Sequence, residues 1–228
     1  MSELNDFSLV FKRHKRAKRL KLRYDATHDQ AIITMPPRSS EREATKFANK
    51  HISWLNKQRS MAPTRIYLLP GYTIPFKGIN RLIIHTPDNN GRIKINDNEI
   101  IVGGTLEGFS VRLENYLKKM ARADIEPIAN TMANRTAKTF KRIQIRDTKS
   151  RWGSCSSSGN LSFSWRLIMT PPEILEYVVA HEIAHLTEMN HSRAFWQVVD
   201  TIIDHATVSR KWIKNQGQHL MLILKNPT

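Results

Sequence analysis

The chain has 228 residues, 40% of them hydrophobic, and a formal net charge of +16. That length allows one large domain or two small ones around a real core. One cysteine, Cys155, rules out an internal disulfide, and neither a leader-like start in residues 1–10 nor a membrane-length apolar run is present, so a cytoplasmic protein with no membrane partner is expected.

The charge is uneven. Residues 1–80 hold 16 Lys/Arg against 6 Asp/Glu, residues 81–142 hold 11 against 7, and residues 143–228 hold 9 against 7. A basic N-terminal half attracts polyanions, so it is a candidate surface for nucleic acid or nucleotides; a solvated basic face is the plainer alternative.

In chain order, residues 12–23 carry eight basic side chains. Leu20, Leu22 and Tyr24 alternate with Arg19, Lys21 and Arg23, the pattern of a half-buried strand with a basic outer face. Residues 31–35 read as its partner, stopped by Pro36-Pro37. Ser40 and Glu43 have the spacing of a capping box. Ala44, Phe47, Ala48, Ile52 and Leu55 then follow helical spacing. His51 shares that face and is expected to pack in the core. Residues 63–102 read as a small β-sheet with strands at 72–76, 81–85, 92–95 and 99–102. Asn90-Gly91 and Asp97-Asn98 serve as hairpin turns. Gly103-Gly104 is the expected boundary. A long helix follows, with Leu106, Phe109, Leu113, Leu117 and Met120 on one side, and Pro127 is expected to kink or interrupt it near Ile125.

Ile143 and Ile145 alternate with polar residues as in a strand, and residues 147–150 turn the chain. Leu161, Phe163 and Trp165 alternate with Ser162, Ser164 and Arg166. This second strand is expected to lead into the next helix, and its free edge is a candidate site for an extended peptide. The plainer alternative is a half-buried edge strand. Cys155 reads as a small packed residue and not as a nucleophile.

That next helix carries His181-Glu182-Ile183-Ala184-His185. Thr170 is its expected N-cap, with Pro171 in the first turn and Glu173 closing a capping box. Its apolar residues cover most of its circumference, which marks a buried helix. Two histidines four apart lie on one face, where both can hold one metal ion. Glu182 stands beside them, able to take a proton from a water without being a ligand. An unbroken helix would carry His191 to the wrong side, so the helix must end before it. Asn190, tolerant of the left-handed conformation, is the expected terminator. His191 is then the third ligand, and the fourth position stays open. Ser192 caps a further helix whose Phe195, Trp196, Val198, Val199, Ile202 and Ile203 face the core.

Over residues 140–200, a set of motifs occurs in order. They are Arg151-Trp152-Gly153-Ser154-Cys155, Asn160-Leu161, Trp165-Arg166-Leu167, Pro171-Pro172, Tyr177-Val178-Val179, the His181–His185 motif, Asn190-His191-Ser192 and Phe195-Trp196. Together they resemble the signature of the YgjP-like metallopeptidase-domain family, which is related to the SprT-like and Wss-type zinc proteases. The resemblance implies an α+β protein: a small basic β-rich module with helices, residues 1–104, packed on a zincin-like hydrolase core, residues 105–228. It implies one Zn²⁺ per chain held by His181, His185 and His191, with Glu182 as catalytic base and a peptide or unfolded protein as substrate. Glu188 departs from the broader metzincin pattern, which has a turn glycine there. Some family members carry the label nucleotide (UTP) pyrophosphatase, so a metal-dependent phosphohydrolase is the alternative function. A nucleic-acid-binding module with structural zinc is the third.

Overall fold

The computed structural model describes residues 4–62, 64–87, 90–148 and 150–226, the side chain of Asn5 excepted. Three parts of the expectations above lie outside the described residues: the polar start at residues 1–3, Pro63 at the head of the expected sheet, and Lys149 in the 147–150 turn. The fold is mixed α+β. It divides into two compact units, Met1–Arg65 and Ile66–Pro227.

The first unit begins with three strands, β1 (Ser8–Arg13), β2 (Lys21–Asp25) and β3 (Gln30–Met35). β3 is central, parallel to β1 and antiparallel to β2. Leu20, Leu22 and Tyr24 turn toward the small core, while Arg19, Lys21 and Arg23 are exposed, as period-two alternation requires. The turn between β2 and β3 ends at Asp29, whose φ is 53°. Its carboxylate accepts from the Arg59 guanidinium and from Tyr24 Oη at 2.6 Å. α1 (Glu41–Lys50) carries the full capping box: Glu43 N–H donates to Ser40 Oγ at 3.2 Å, and Ser40 N–H to the Glu43 carboxylate at 2.8 Å. The helical pattern does not continue unbroken. His51, at φ −111° and ψ 19°, ends α1 and opens α2 (Ile52–Met61). That break takes His51 off the apolar face, so it is exposed and lies edge-on to Phe47, instead of packing in the core.

The second unit contains β4 (Ile66–Tyr67), β5 (Thr73–Phe76), β6 (Ile79–Thr86), β7 (Ile93–Ile95) and β8 (Glu99–Gly103), followed by α3 (Phe109–Arg135). The middle strands form a sheet of order β5-β6-β8-β7. Ile74, Ile83, Ile100 and Val102 from that sheet share one core with Leu113, Leu117 and Val179. The strands between residues 73 and 103, expected in the N-terminal module, thus pack with the second unit. Asp97 and Asn98 connect antiparallel β7 and β8. Asn90-Gly91 turns with positive φ, but closes no hairpin, because β6 pairs in parallel with β8 and not with β7. α3 runs through Pro127 without interruption. Proline removes one backbone donor, and burial of Ile125, Ala129 and Met132 keeps the helix in place around it. Leu106 precedes the helix and is exposed.

β9 (Arg142–Arg146), β10 (Gly153–Cys155) and β11 (Asn160–Ser164) form the next sheet. The order is β10-β11-β9, which overturns the expected free edge of β11. Its alternation marks one buried and one polar face, and pattern alone does not say how many neighbours a strand has. A 3₁₀ turn, Trp165–Met169, separates β11 from α4 (Pro172–Ala184). Thr170 caps that turn by donating to Leu167 O at 2.8 Å, so α4 starts one residue later than expected, at N-cap Pro171, without a capping box. α5 (Arg193–Ile202), α6 (Ala206–Met221) and β12 (Ile223–Leu224), paired with β4, complete the unit. Arg166, 3% exposed, ties β12 down through two bonds to Ile223 O. Among the described residues, no helix is long and apolar enough to cross a membrane.

Candidate metal centre

α4 is apolar on nearly all sides, and Val178, Val179, Ala180, Ile183 and Ala184 bury it in the core. Glu173 and Glu176 stand in its more exposed first turns, whereas His181, Glu182 and the C-cap His185 are polar groups at its better-buried end. Glu182 is 5% exposed and His185 9%. Buried polar groups are costly unless something satisfies them.

The helix ends where the motif needs it to end, though not by the expected device. The last turn tightens: Leu186 N–H bonds Ile183 O at 2.9 Å, and Thr187 and Glu188 N–H both bond Ala184 O at 3.0 Å. Asn190 is not among the left-handed residues. Its side chain instead accepts from Ser192 N–H at 3.0 Å and shapes the entry to α5, whose N-cap is Ser192. The reversal brings Glu188 O within 2.9 Å of His185 Nδ1. A carbonyl only accepts, so Nδ1 carries the proton and the lone pair of Nε2 is free for a metal. The turn that lacks a glycine at Glu188 thus orients a candidate ligand through its backbone.

His191 is exposed and reaches back to α4. Its Nε2 lies 3.0 Å from His181 Nε2. One ligand atom from each of His181, His185 and His191 falls within 4.8 Å of the others. The three ring centroids are 4.8–5.0 Å apart. Phe195, fully buried, underlies all three at 4.5–4.9 Å and holds the cluster from below. Trp196 packs beside His181 and His191, with the Arg210 guanidinium stacked on it.

The electrostatics suit a cation. Burial pushes the His181 imidazolium down to about 4, with His185, His191 and Arg210 adding repulsion. Burial also lowers His185, against the bond to Glu188 O. Neutral imidazoles present the lone pairs that a metal needs. Nitrogens bound tetrahedrally to zinc lie about 3.3 Å apart, close to the observed His181–His191 spacing. The residues present therefore fit a metal ion.

The Glu182 carboxylate lies against β10. Cys155 N–H hydrogen-bonds its carboxylate and Arg151 attracts it, but burial dominates and pushes the carboxyl up to about 8. Gly153 makes this possible: a Cβ there would sit 2.5 Å from Glu182 Oε1. Sequence reading expected the three histidines together, and their ligand atoms do lie close to one another. It missed Gly153, the Cys155 amide, the Glu188 carbonyl and the bed formed by Phe195. Two of these act through backbone atoms, which leave no side-chain signature. Gly153 was visible only as a glycine next to Trp152.

The YgjP-like, metallopeptidase domain family matches residues 18–216. No curated protein matches the chain. Among solved structures, the metallopeptidase zymogen of Pyrococcus abyssi abylysin is similar over 40% of this chain and 95% of its own, at 22% identity and a TM-score of 0.36.

Proposed function

This chain belongs to the YgjP-like metallopeptidase-domain family, and we propose that it is a zinc-dependent peptidase with one Zn²⁺ per chain and a zincin-like core within residues 105–228. The observation that carries the reading is the convergence of three histidines, one of them next in sequence to the buried Glu182. His181, His185 and His191 hold the ion. Zinc at such a site acidifies a water and polarises a carbonyl oxygen.

The chain's own groups do the rest. Glu182 takes the proton from the attacking water and returns it to the leaving amine. Its burial raises its proton affinity, which suits a group that takes up and returns a proton. The Cys155 amide and Arg151 hold the carboxylate in place. β10 pairs only with β11 among the described residues, so no strand covers its other edge. An extended peptide added to that edge would bond through the backbone groups of β10 other than the Cys155 amide, which Glu182 already takes.

The donor set also bears on the alternatives. Magnesium prefers oxygen ligands, and the candidate cluster is imidazole only, which favours a peptidase over a magnesium-type phosphohydrolase. A structural zinc site is closed by four protein ligands and gains nothing from Glu182. The basic first unit, with Arg19, Lys21 and Arg23 exposed, is a recruiting surface for nucleic acid. Charge reversal at those three positions should flatten the salt dependence of nucleic-acid binding without changing zinc content.

The test of the central claim is Glu182→Gln. It should keep its zinc and lose peptide hydrolysis by at least about 10²-fold. Loss of zinc along with activity would make Glu182 a ligand or a structural residue, and the reading would fail.

A further inference from the structure

The outer face of the β9-β11-β10 sheet is a groove of about 420 Å³. Arg142, Gln144 and Arg146 line it from β9, Ser162 from β11, and Ser154 from β10, with Arg151 at the entry to β10. Register aligns Gln144, Ser162 and Ser154 in one row across the three strands. No carboxylate and no aromatic ring lines the groove.

Two of its three arginines are not neutralised. Arg142 Nε bonds Asn160 Oδ1 at 3.1 Å, and Arg146 Nε bonds Gln144 Oε1 at 3.0 Å, both uncharged acceptors. Neither Arg142 nor Arg146 takes part in an ion pair among the described residues, while Arg151 is drawn to the Glu182 carboxylate. The nearest acid in sequence, Asp147, is engaged by Arg166. Free guanidiniums beside hydroxyls and amides form a site for anionic oxygens.

The groove shares a strand with the candidate catalytic centre. Gly153 abuts Glu182, and Ser154, the next residue, lines the groove. Successive strand residues face opposite sides. A peptide lying along the other edge of β10 alternates in the same way, one set of side chains toward α4 and the other toward the groove. Side chains of the second set repeat about every 6.6 Å, and Arg142 and Arg146 stand roughly 13 Å apart along β9, two such repeats. Single-stranded nucleic acid would want aromatic platforms, which the lining lacks.

We propose that this groove selects acidic polypeptide substrates, with Arg142 and Arg146 receiving the carboxylates of Asp or Glu side chains on the groove side of a peptide held at β10. This rests on the peptidase reading above, whose substrate class it names.

The experiment uses two fluorescent peptides, identical except that alternate positions carry Asp in one and Asn in the other. The full-length zinc-loaded protein should cleave the Asp peptide with a kcat/KM about tenfold higher, the effect of one charge-assisted hydrogen bond. Salt should erode that preference. Arg142→Glu with Arg146→Glu should reverse it while leaving cleavage of the Asn peptide unchanged; Arg142→Gln with Arg146→Gln, the milder pair, should abolish it. Equal cleavage of both peptides by the unmodified protein, or a preference that neither pair moves, overturns the proposal but leaves the peptidase intact. Should neither peptide be cleaved, the peptidase reading fails, and binding decides the groove separately. Tighter binding of the Asp peptide to Glu182→Gln protein, lost in the arginine variants, supports the groove. Equal binding, or arginine-dependent binding of duplex DNA without binding of the Asp peptide, overturns it.

Discussion

The two three-stranded sheets of this protein have the same plan. In each, the third strand in sequence is central, the first runs parallel to it, and the second runs antiparallel at an edge. Leu22 pairs with Ile33 in one sheet, and Gly153 pairs with Phe163 in the other. Tyr24 opposite Ala31 corresponds to Cys155 opposite Leu161. In the first unit, Leu22 and Tyr24 fill the space beneath the edge strand. In the second, glycine leaves that space open, and Glu182 occupies it. What distinguishes a sheet that closes a core from one that roofs a catalytic carboxylate is thus one missing side chain and the helix beneath it.

The comparison can be broken most severely at the helix. His185→Ala should remove the zinc and bring peptide hydrolysis below detection, as metal analysis and a cleavage assay would show. Full zinc content in that variant would place the metal elsewhere. Gly153→Ala imitates the first sheet by adding a side chain under the edge strand. Glu182 must then shift, and a displacement near 1 Å costs about 10²-fold in rate; zinc content should be unchanged, and an unchanged kcat/KM would show that Glu182 has room to spare.

The converse change sharpens the contrast. Leu22→Ala opens space in the first sheet, where no functional group waits to enter. It should lower stability by about 2 kcal/mol, at the low end for leucine truncation because the residue is only half-buried. Chemical denaturation measures this, and zinc content should not change.

The smallest effect is electrostatic. Burial pushes the Asp147 carboxyl up, but the Arg166 guanidinium and the Trp165 indole outweigh it and hold the group below its ordinary value. A lowered folded value means that the pair stabilises fully above the unfolded carboxylate range, about pH 4, and loses its contribution as pH falls. Asp147→Asn should therefore flatten the acid limb of a stability–pH curve. At neutral pH its cost should stay below about 1 kcal/mol, since Asp147 is 47% exposed and solvent screens the pair. An acid limb identical to that of the unmodified protein would assign the loss to other carboxylates.

Much of the candidate centre was legible because it is local. Four-residue spacing puts His181 and His185 on one face of any α-helix, whatever surrounds it. The need to end the helix before His191 follows from helical pitch alone. The capping box at Ser40 and Glu43 and the basic alternation of β2 are local in the same sense, and both occur as written. Where a local rule met a competing partner, it failed. Thr170 has the chemistry of an N-cap, but the 3₁₀ turn before α4 claims its hydroxyl. Pro127 should break a helix, yet buried neighbours on both sides hold α3 together.

Sequence by itself determined the helix with its two histidines and glutamate, the distance to the third histidine, and which face of each strand is wet. Those depend on periods of two and 3.6 residues, which a chain carries wherever it goes. Tertiary structure alone decided that β11 is central and β10 an edge, that Gly153 lies against Glu182, and that Arg142, Arg146 and Arg151 meet over one groove. Regional charge totals concealed that last cluster, since Arg142 closes one segment and Arg146 and Arg151 fall in the next, residues 143–228, which is nearly balanced as a whole. Strand order and neighbours across a sheet are set by pairings between distant segments, and no periodicity within a segment encodes its partner.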